Sequence, residues 1–426
     1  MERKDYRQMW KDLGLNLEAH DQLLTILGNA YKDIYLSQES RPKGMQYLDF
    51  VISEVHGLRV KELMEEKQKG NKVIDTFCVY VPEELILAVG GTCVGLCAGA
   101  EIGIDEAEKV LPRNTCALIK SFMGFRLAGL CPYIQASDLV VGETTCDGKK
   151  KAYEILNDYK ETYVMEIPHM KTERDRTLWK GEVLKFKEKL EQVTGRKITP
   201  ENLKKGIKIV NEKRKALQRL SQIRRAVPSP ISGLDALLVN QISFYDDPIR
   251  FTKNINTLCD ELGDHVKKAV GVVNRGIPRI LIAGSPMVAP NWKVPYIVET
   301  SRGIIVAEES CVGERNTRDL VKETGETLDE MIDAIVDRYT KIDCACFTPN
   351  TERIEHVLNL VQDFKVDGVI HYNIQFCTPY SIEAYKVEKA LQGKGIPFLK
   401  IETDYGMEDT GQLKTRIEAF LEMVRG

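Results

Sequence analysis

The sequence predicts an α/β protein with two doubly wound parallel-sheet domains, flavodoxin- or Rossmann-like, plus helical regions before and between them. Three observations predict it. Short apolar runs of buried-strand type alternate with helical patterns, as parallel strands joined by crossover helices require. The alternation occurs twice, over residues 71–170 and again over 266–426. Between them lies a long charged stretch with apolar residues at helical spacing. A chain of 426 residues also exceeds a single core, which stops growing beyond roughly 250–300 residues.

Residues 1–70 read as a helical region, because Asp21–Leu27 and Met45–Val51 carry apolar residues at helical spacing. The first α/β domain, 71–170, opens with strand and helix pieces at Val73–Cys78 and Leu85–Gly90. Asp138–Gly142 and Tyr163–Pro168 are further runs of buried-strand type. Residues 171–265 form a helical insertion. Leu178, Val183, Phe186, Leu190 and Val193 make one stripe, and Leu203, Ile207, Val210, Leu217, Leu220 and Ile223 another. Thr199-Pro200-Glu201 between them supplies an N-cap, a first-turn proline and an early acid. Two antiparallel helices are expected there, with their many charges on solvated outer faces. In the second α/β domain, 266–426, the strands are Arg279–Gly284, Gly303–Ala307, Gly368–Ile370 and Pro397–Ile401. Leu328–Tyr339 and Ile354–Phe364 are helical patterns between them.

Composition excludes several classes. Hydrophobic residues make up 43% and charged residues 29%, with a net charge of −3. That balance gives no footprint for nucleic acid or an anionic membrane. The charged beginning, Met1 to Tyr6, has no apolar run behind it, and no stretch approaches the roughly 18 apolar residues of a spanning helix. A cytoplasmic protein is expected. No Walker-type phosphate loop, dinucleotide fingerprint or serine elbow occurs.

Eleven cysteines against six histidines point to thiolate chemistry rather than disulfides in a reducing compartment. Cys146, Cys311 and Cys377 follow predicted strands, and Cys344 and Cys346 precede Phe347-Thr348-Pro349-Asn350, read as another strand exit. Parallel α/β sheets bind ligands beyond the carboxyl ends of their strands, so cysteines distant in sequence can meet in a cleft between two such domains. Helices beginning after those loops would aim N–H groups at the thiolates. Arg113 and Lys120 near Cys116, and Lys149, Lys150 and Lys151 after Cys146, are candidates to offset negative charge. Cys259 and Cys93 read as packing residues. Two-residue-spaced zinc knuckles and a compact ferredoxin-type run are both absent.

Several segments together resemble the 2-hydroxyacyl-CoA dehydratase and benzoyl-CoA reductase family. They are Leu111-Pro112-Arg113-Asn114-Thr115-Cys116 with Lys120-Ser121, Gly142–Lys151 around Cys146, Gln375-Phe376-Cys377, and the ending Ile401–Asp404 with Gly411–Phe420. The resemblance runs from about residue 70 to the C-terminus. Cys78, Cys97, Cys131-Pro132-Tyr133, Cys311 and Cys344-Ala345-Cys346 resemble the branch of reductases that carries a double-cubane cluster. The resemblance implies one 4Fe-4S cubane on Cys116, Cys146 and Cys377. It implies a second on three further cysteines, for which Cys131, Cys311 and Cys346 are the choice and Cys344 and Cys78 the rivals. It further implies a separate ATP-hydrolysing iron–sulfur activator protein as electron donor, a small unsaturated substrate, an anaerobic host and a homodimer. Glu402, Asp404 and Arg416 are expected to form fold-stabilising ion pairs. Within the same fold, the alternative is a single-cubane subunit of a 2-hydroxyacyl-CoA dehydratase. Outside catalysis, it is an iron–sulfur carrier or scaffold.

Overall fold

The computed structural model describes residues 6–96 and 99–425. Eight strands form two separate parallel sheets. The first contains β1 (Val73–Thr76), β2 (Thr92–Gly95), β3 (Leu139–Glu143) and β4 (Thr162–Met165), in the order β2-β1-β3-β4. The second contains β5 (Arg279–Gly284), β6 (Ile304–Glu309), β7 (Gly368–Ile374) and β8 (Phe398–Thr403), in the order β6-β5-β7-β8. The two orders are identical. In each sheet the chain leaves the first strand to one side and returns to the other, creating a switch point between β1 and β3 and again between β5 and β7. The inner strands β1, β3, β5 and β7 are buried throughout, as expected where helices cover both faces.

β2 is a strand that the apolar pattern of the sequence does not predict. It pairs Cys93 with Ile74 of β1, and its four residues lie between Gly91 and Leu96, too short for an apolar pattern to show. Gly284 ends β5 at φ +119, where an added Cβ would sit 2.3 Å from the Tyr372 carbonyl oxygen. Glycine alone permits β5 and β7 to approach so closely there.

The N-terminal helices, including Leu17–Tyr31, Met45–Ser53 and Leu58–Gln68, are integral to the core. Tyr35 is fully buried and meets Trp292 edge-on, with ring centroids 5.0 Å apart. Arg41 pairs with buried Asp235 at 2.9 Å.

The charged stretch forms the helices Glu173–Thr194 and Pro200–Ile223. Thr172 and Asp175 make a capping box on the first, and Thr199 caps the second from in front of Pro200. The expectation that these charges face solvent is corrected in part. Lys213, Arg214 and, just past the helix, Arg224 are buried. Arg214 bonds Glu84 at 2.6 Å and the Tyr339 hydroxyl at 3.0 Å. Arg224 makes a two-pronged bond to Glu308 at 2.6 and 2.7 Å. Glu84 lies beside the first sheet, whereas Glu308 and Tyr339 belong to the second half, so this helix ties the two together. Among the described residues no helix is long and apolar enough to cross a membrane.

Candidate metal centre

The carboxyl ends of both sheets face one cavity of about 1080 Å³. Seven of the ten described cysteines line it: Cys78, Cys116, Cys146, Cys311, Cys344, Cys346 and Cys377. Strand geometry accounts for four of them. Cys78 follows β1, Cys146 follows β3, Cys311 follows β6 and Cys377 follows β7. The remaining three arrive by helix ends and loops. Cys344 and Cys346 do not leave a strand, contrary to expectation. They follow the helix Leu328–Thr340 in an irregular turn.

Cys116, Cys146 and Cys377 each stand at the N-cap of a helix, preceding Ala117–Leu127, Asp147–Leu156 and Thr378–Gln392. The unpaired N–H groups and positive dipole end of a helix favour a thiolate there. The Cys146 sulfur accepts the Lys149 backbone N–H at 3.4 Å. Phe376, with φ +64, turns the chain sharply into Cys377, a strained conformation of the kind held at functional sites.

The seven sulfurs fall into two neighbourhoods. In the first, Cys116 contacts Cys377, with Cys146 beside both. The Cys377 contact, aided by the Leu118 and Ile119 N–H groups, holds the Cys116 thiol below its ordinary value, while Cys377 is pushed well up. In the second, Cys78 contacts Cys311 and Cys344 contacts Cys346. The Cys78 contact draws Cys311 down, and the Cys346 contact, with Arg315 and Tyr380 adding to it, brings Cys344 to about 5. Among the described residues no three His, Cys, Asp or Glu side chains close around a single ion. Seven thiols gathered on one cavity are the donor set that a soft, thiolate-ligated metal group takes.

Charges near the second neighbourhood are deeply buried. The Arg315 guanidinium is 1% exposed. It pairs with Glu309 and Asp343 and donates to the Tyr380 hydroxyl and, at 3.5 Å, to the Cys311 sulfur. Tyr380 in turn lies 3.5 Å from the Cys344 sulfur. Arg353 binds Glu309 at 2.8 Å and also reaches Glu383. Arg315 and Tyr380 were not singled out from sequence. The one available signal was Arg315 four residues after Cys311.

Other expected site residues lie elsewhere. Cys131 does not line the cavity. It is 3% exposed, precedes the short helix Pro132–Ala136 and packs in the core shared with the N-terminal helices. Cys259 is fully buried in the helix Pro248–Lys267, and Cys97 lies outside the described residues. The cations expected to offset cluster charge are locally paired: Arg113 and Lys120 with Glu108, Lys149 with buried Glu143, Lys150 with Asp147, Lys151 with Glu154. Among the described residues no ion pair joins Glu402, Asp404 and Arg416. Arg416 instead donates to the Lys400 carbonyl.

Two parallel sheets facing one cysteine-lined cavity define a two-sheet α/β protein with a thiolate-rich centre. The chain belongs to the family described as 2-hydroxyglutaryl-CoA dehydratase, D-component, whose model matches residues 78–424. It is 38% identical to the Escherichia coli (strain K12) protein named "Putative dehydratase subunit YjiM" over 368 residues, 85% of this chain and 94% of that one. It is 26% identical to the (R)-phenyllactyl-CoA dehydratase beta subunit of Clostridium sporogenes, covering 84% of this chain and 92% of that one. With a benzoyl-CoA reductase subunit of Thauera aromatica the identity is 22%, over 82% of this chain and 89% of that one.

Proposed function

We propose that this chain is the reductase component of an ATP-dependent two-component system, holding a double-cubane iron–sulfur cluster in the cavity between its sheets. The observation that carries the reading is the gathering of seven cysteines from distant parts of the chain around one cavity. Cys116, Cys146 and Cys377 would hold one cubane. For the other, the cavity offers Cys78, Cys311, Cys344 and Cys346, more than the three needed, and Cys131 drops out of the set. When bound, the cluster supplies single low-potential electrons. The chain's own part is to position sulfur, supply N–H donors and exclude water. The apolar side chains of Phe77, Phe122, Val164 and Phe244 line the same cavity and suit a small unsaturated substrate. A separate iron–sulfur ATPase as electron donor, a homodimer and a cytoplasmic location complete the proposal.

A second reading is favoured by the names of the relatives, several of which are dehydratase subunits. Under it the chain is a 2-hydroxyacyl-CoA dehydratase subunit with one cubane. Iron and acid-labile sulfide per chain, measured after anaerobic purification, separate the two. About eight irons support the double cubane and about four the single one. Protein free of iron at full reconstitution would sink both.

A further inference from the structure

The two sulfur neighbourhoods differ in what donates to them. Around Cys116, Cys146 and Cys377 the donors are peptide N–H groups, of Leu118, Ile119, Lys149 and Tyr380, with the Ser285 hydroxyl at Cys377. Around Cys311 and Cys344 a guanidinium and a phenol are added to the Cys346 N–H. Arg315 Nη1 donates to the Cys311 sulfur at 3.5 Å and to the Tyr380 hydroxyl, which lies 3.5 Å from the Cys344 sulfur. A hydrogen bond from an ionised donor is about twice as strong as a neutral one, and stronger still where water is excluded.

Resting on the double-cubane reading, we infer that Arg315 and Tyr380 are positioning residues that make the cubane of the second neighbourhood the easier one to reduce. Donors and positive charge at sulfur favour the added electron, because hydrogen bonding and net charge set cluster potentials. Two effects oppose this. The second neighbourhood is the more buried, which disfavours added negative charge, and Glu309 and Asp343 offset the guanidinium. Glu309, however, is shared with Arg353, which also binds Glu383, while Asp343 is shared with Arg318. The Nη1 edge of Arg315 is the one turned to sulfur and phenol, with the carboxylates on its Nη2 and Nε sides. An electron entering the pair would therefore settle beside Cys311 and Cys344, with the cubane on Cys116, Cys146 and Cys377 as the more strongly reducing member.

Tyr380→Phe removes the hydroxyl and keeps the ring that stacks against the Arg315 and Arg353 guanidinium groups at 5.3 and 5.1 Å. An anaerobic redox titration of the holoprotein, followed by electron paramagnetic resonance, should show the more positive of two waves moving to more negative potential and the other unmoved. Arg315→Lys should move the same wave further, and iron content reports whether that variant still folds around its clusters. Wild-type protein with about eight irons whose waves are unmoved in Tyr380→Phe, or in which the more negative wave moves instead, overturns this inference alone. Wild-type protein with about four irons overturns the double-cubane reading, and this inference with it.

Discussion

The two sheets share one strand order, yet they furnish sulfur in different ways. The first sheet and its loops give Cys78, Cys116 and Cys146, and the donors at Cys116 and Cys146 are backbone N–H groups. The second sheet surrounds Cys311 and Cys344 with a buried network of Glu309, Arg315, Asp343, Arg353 and Tyr380. A peptide N–H at a helix start is fixed by the fold itself and accommodates many side chains. A buried guanidinium has to be matched by carboxylates, so its presence beside sulfur marks a place where charge was needed and could not be left to the backbone.

The largest expected effect contrasts cavity cysteines with those outside it. Replacing Cys116, Cys146 or Cys377 by alanine should remove about half the iron or more, on a cubane stoichiometry, whereas Cys131→Ala and Cys259→Ala should keep it. Iron analysis and visible absorption check this, and full iron in all five variants would end the ligand assignment. Next, Glu309→Gln strands two buried arginines. It should cost about 3–5 kcal/mol in anaerobic equilibrium denaturation, as breaking a buried pair does, and removing the exposed Arg7–Asp21 pair should cost under about 1 kcal/mol.

The first half has its own buried polar element, and it is neutral. His20 Nε2 and His56 Nδ1 lie 2.9 Å apart with the rings stacked. Burial holds them at about 4 and about 3, below the ordinary 6.5. The unfolded chain therefore binds protons first as pH falls, so stability that is complete above 6.5 declines below it. At pH 5 the loss should be about 2 kcal/mol for one such ring, and His56→Phe should reduce the slope in a pH series of melting curves by one ring's share, with His20, His356 and His371 still contributing. The smallest effect concerns the approach to Cys344. Thr327→Ala breaks the capping box of the helix Leu328–Thr340 and should cost about 1 kcal/mol without loss of iron.

The α/β class and most strands were legible because inner parallel strands are buried on both faces and read as unbroken apolar runs, as at Leu139–Glu143 and Arg279–Gly284. The same runs located the loops carrying Cys146, Cys311 and Cys377. Cys131 was not placeable: a cysteine before a first-turn proline reads the same whether its helix faces the cavity or the N-terminal helices. Cys344 and Cys346 before Phe347-Thr348-Pro349-Asn350 imitate a strand exit, although the chain there is leaving a helix. Arg315 was illegible because its partner Tyr380 lies 65 residues away. Pairings made only by tertiary packing leave no local period.

The helix Pro200–Ile223 grips both halves through Arg214 and, at its exit, Arg224, each charge sealed from water against a carboxylate. Opening the halves like a hinge would strip one of these ions of its carboxylate, whichever half the helix followed. A movement that parts the halves therefore carries the cost of leaving a buried charge unpaired.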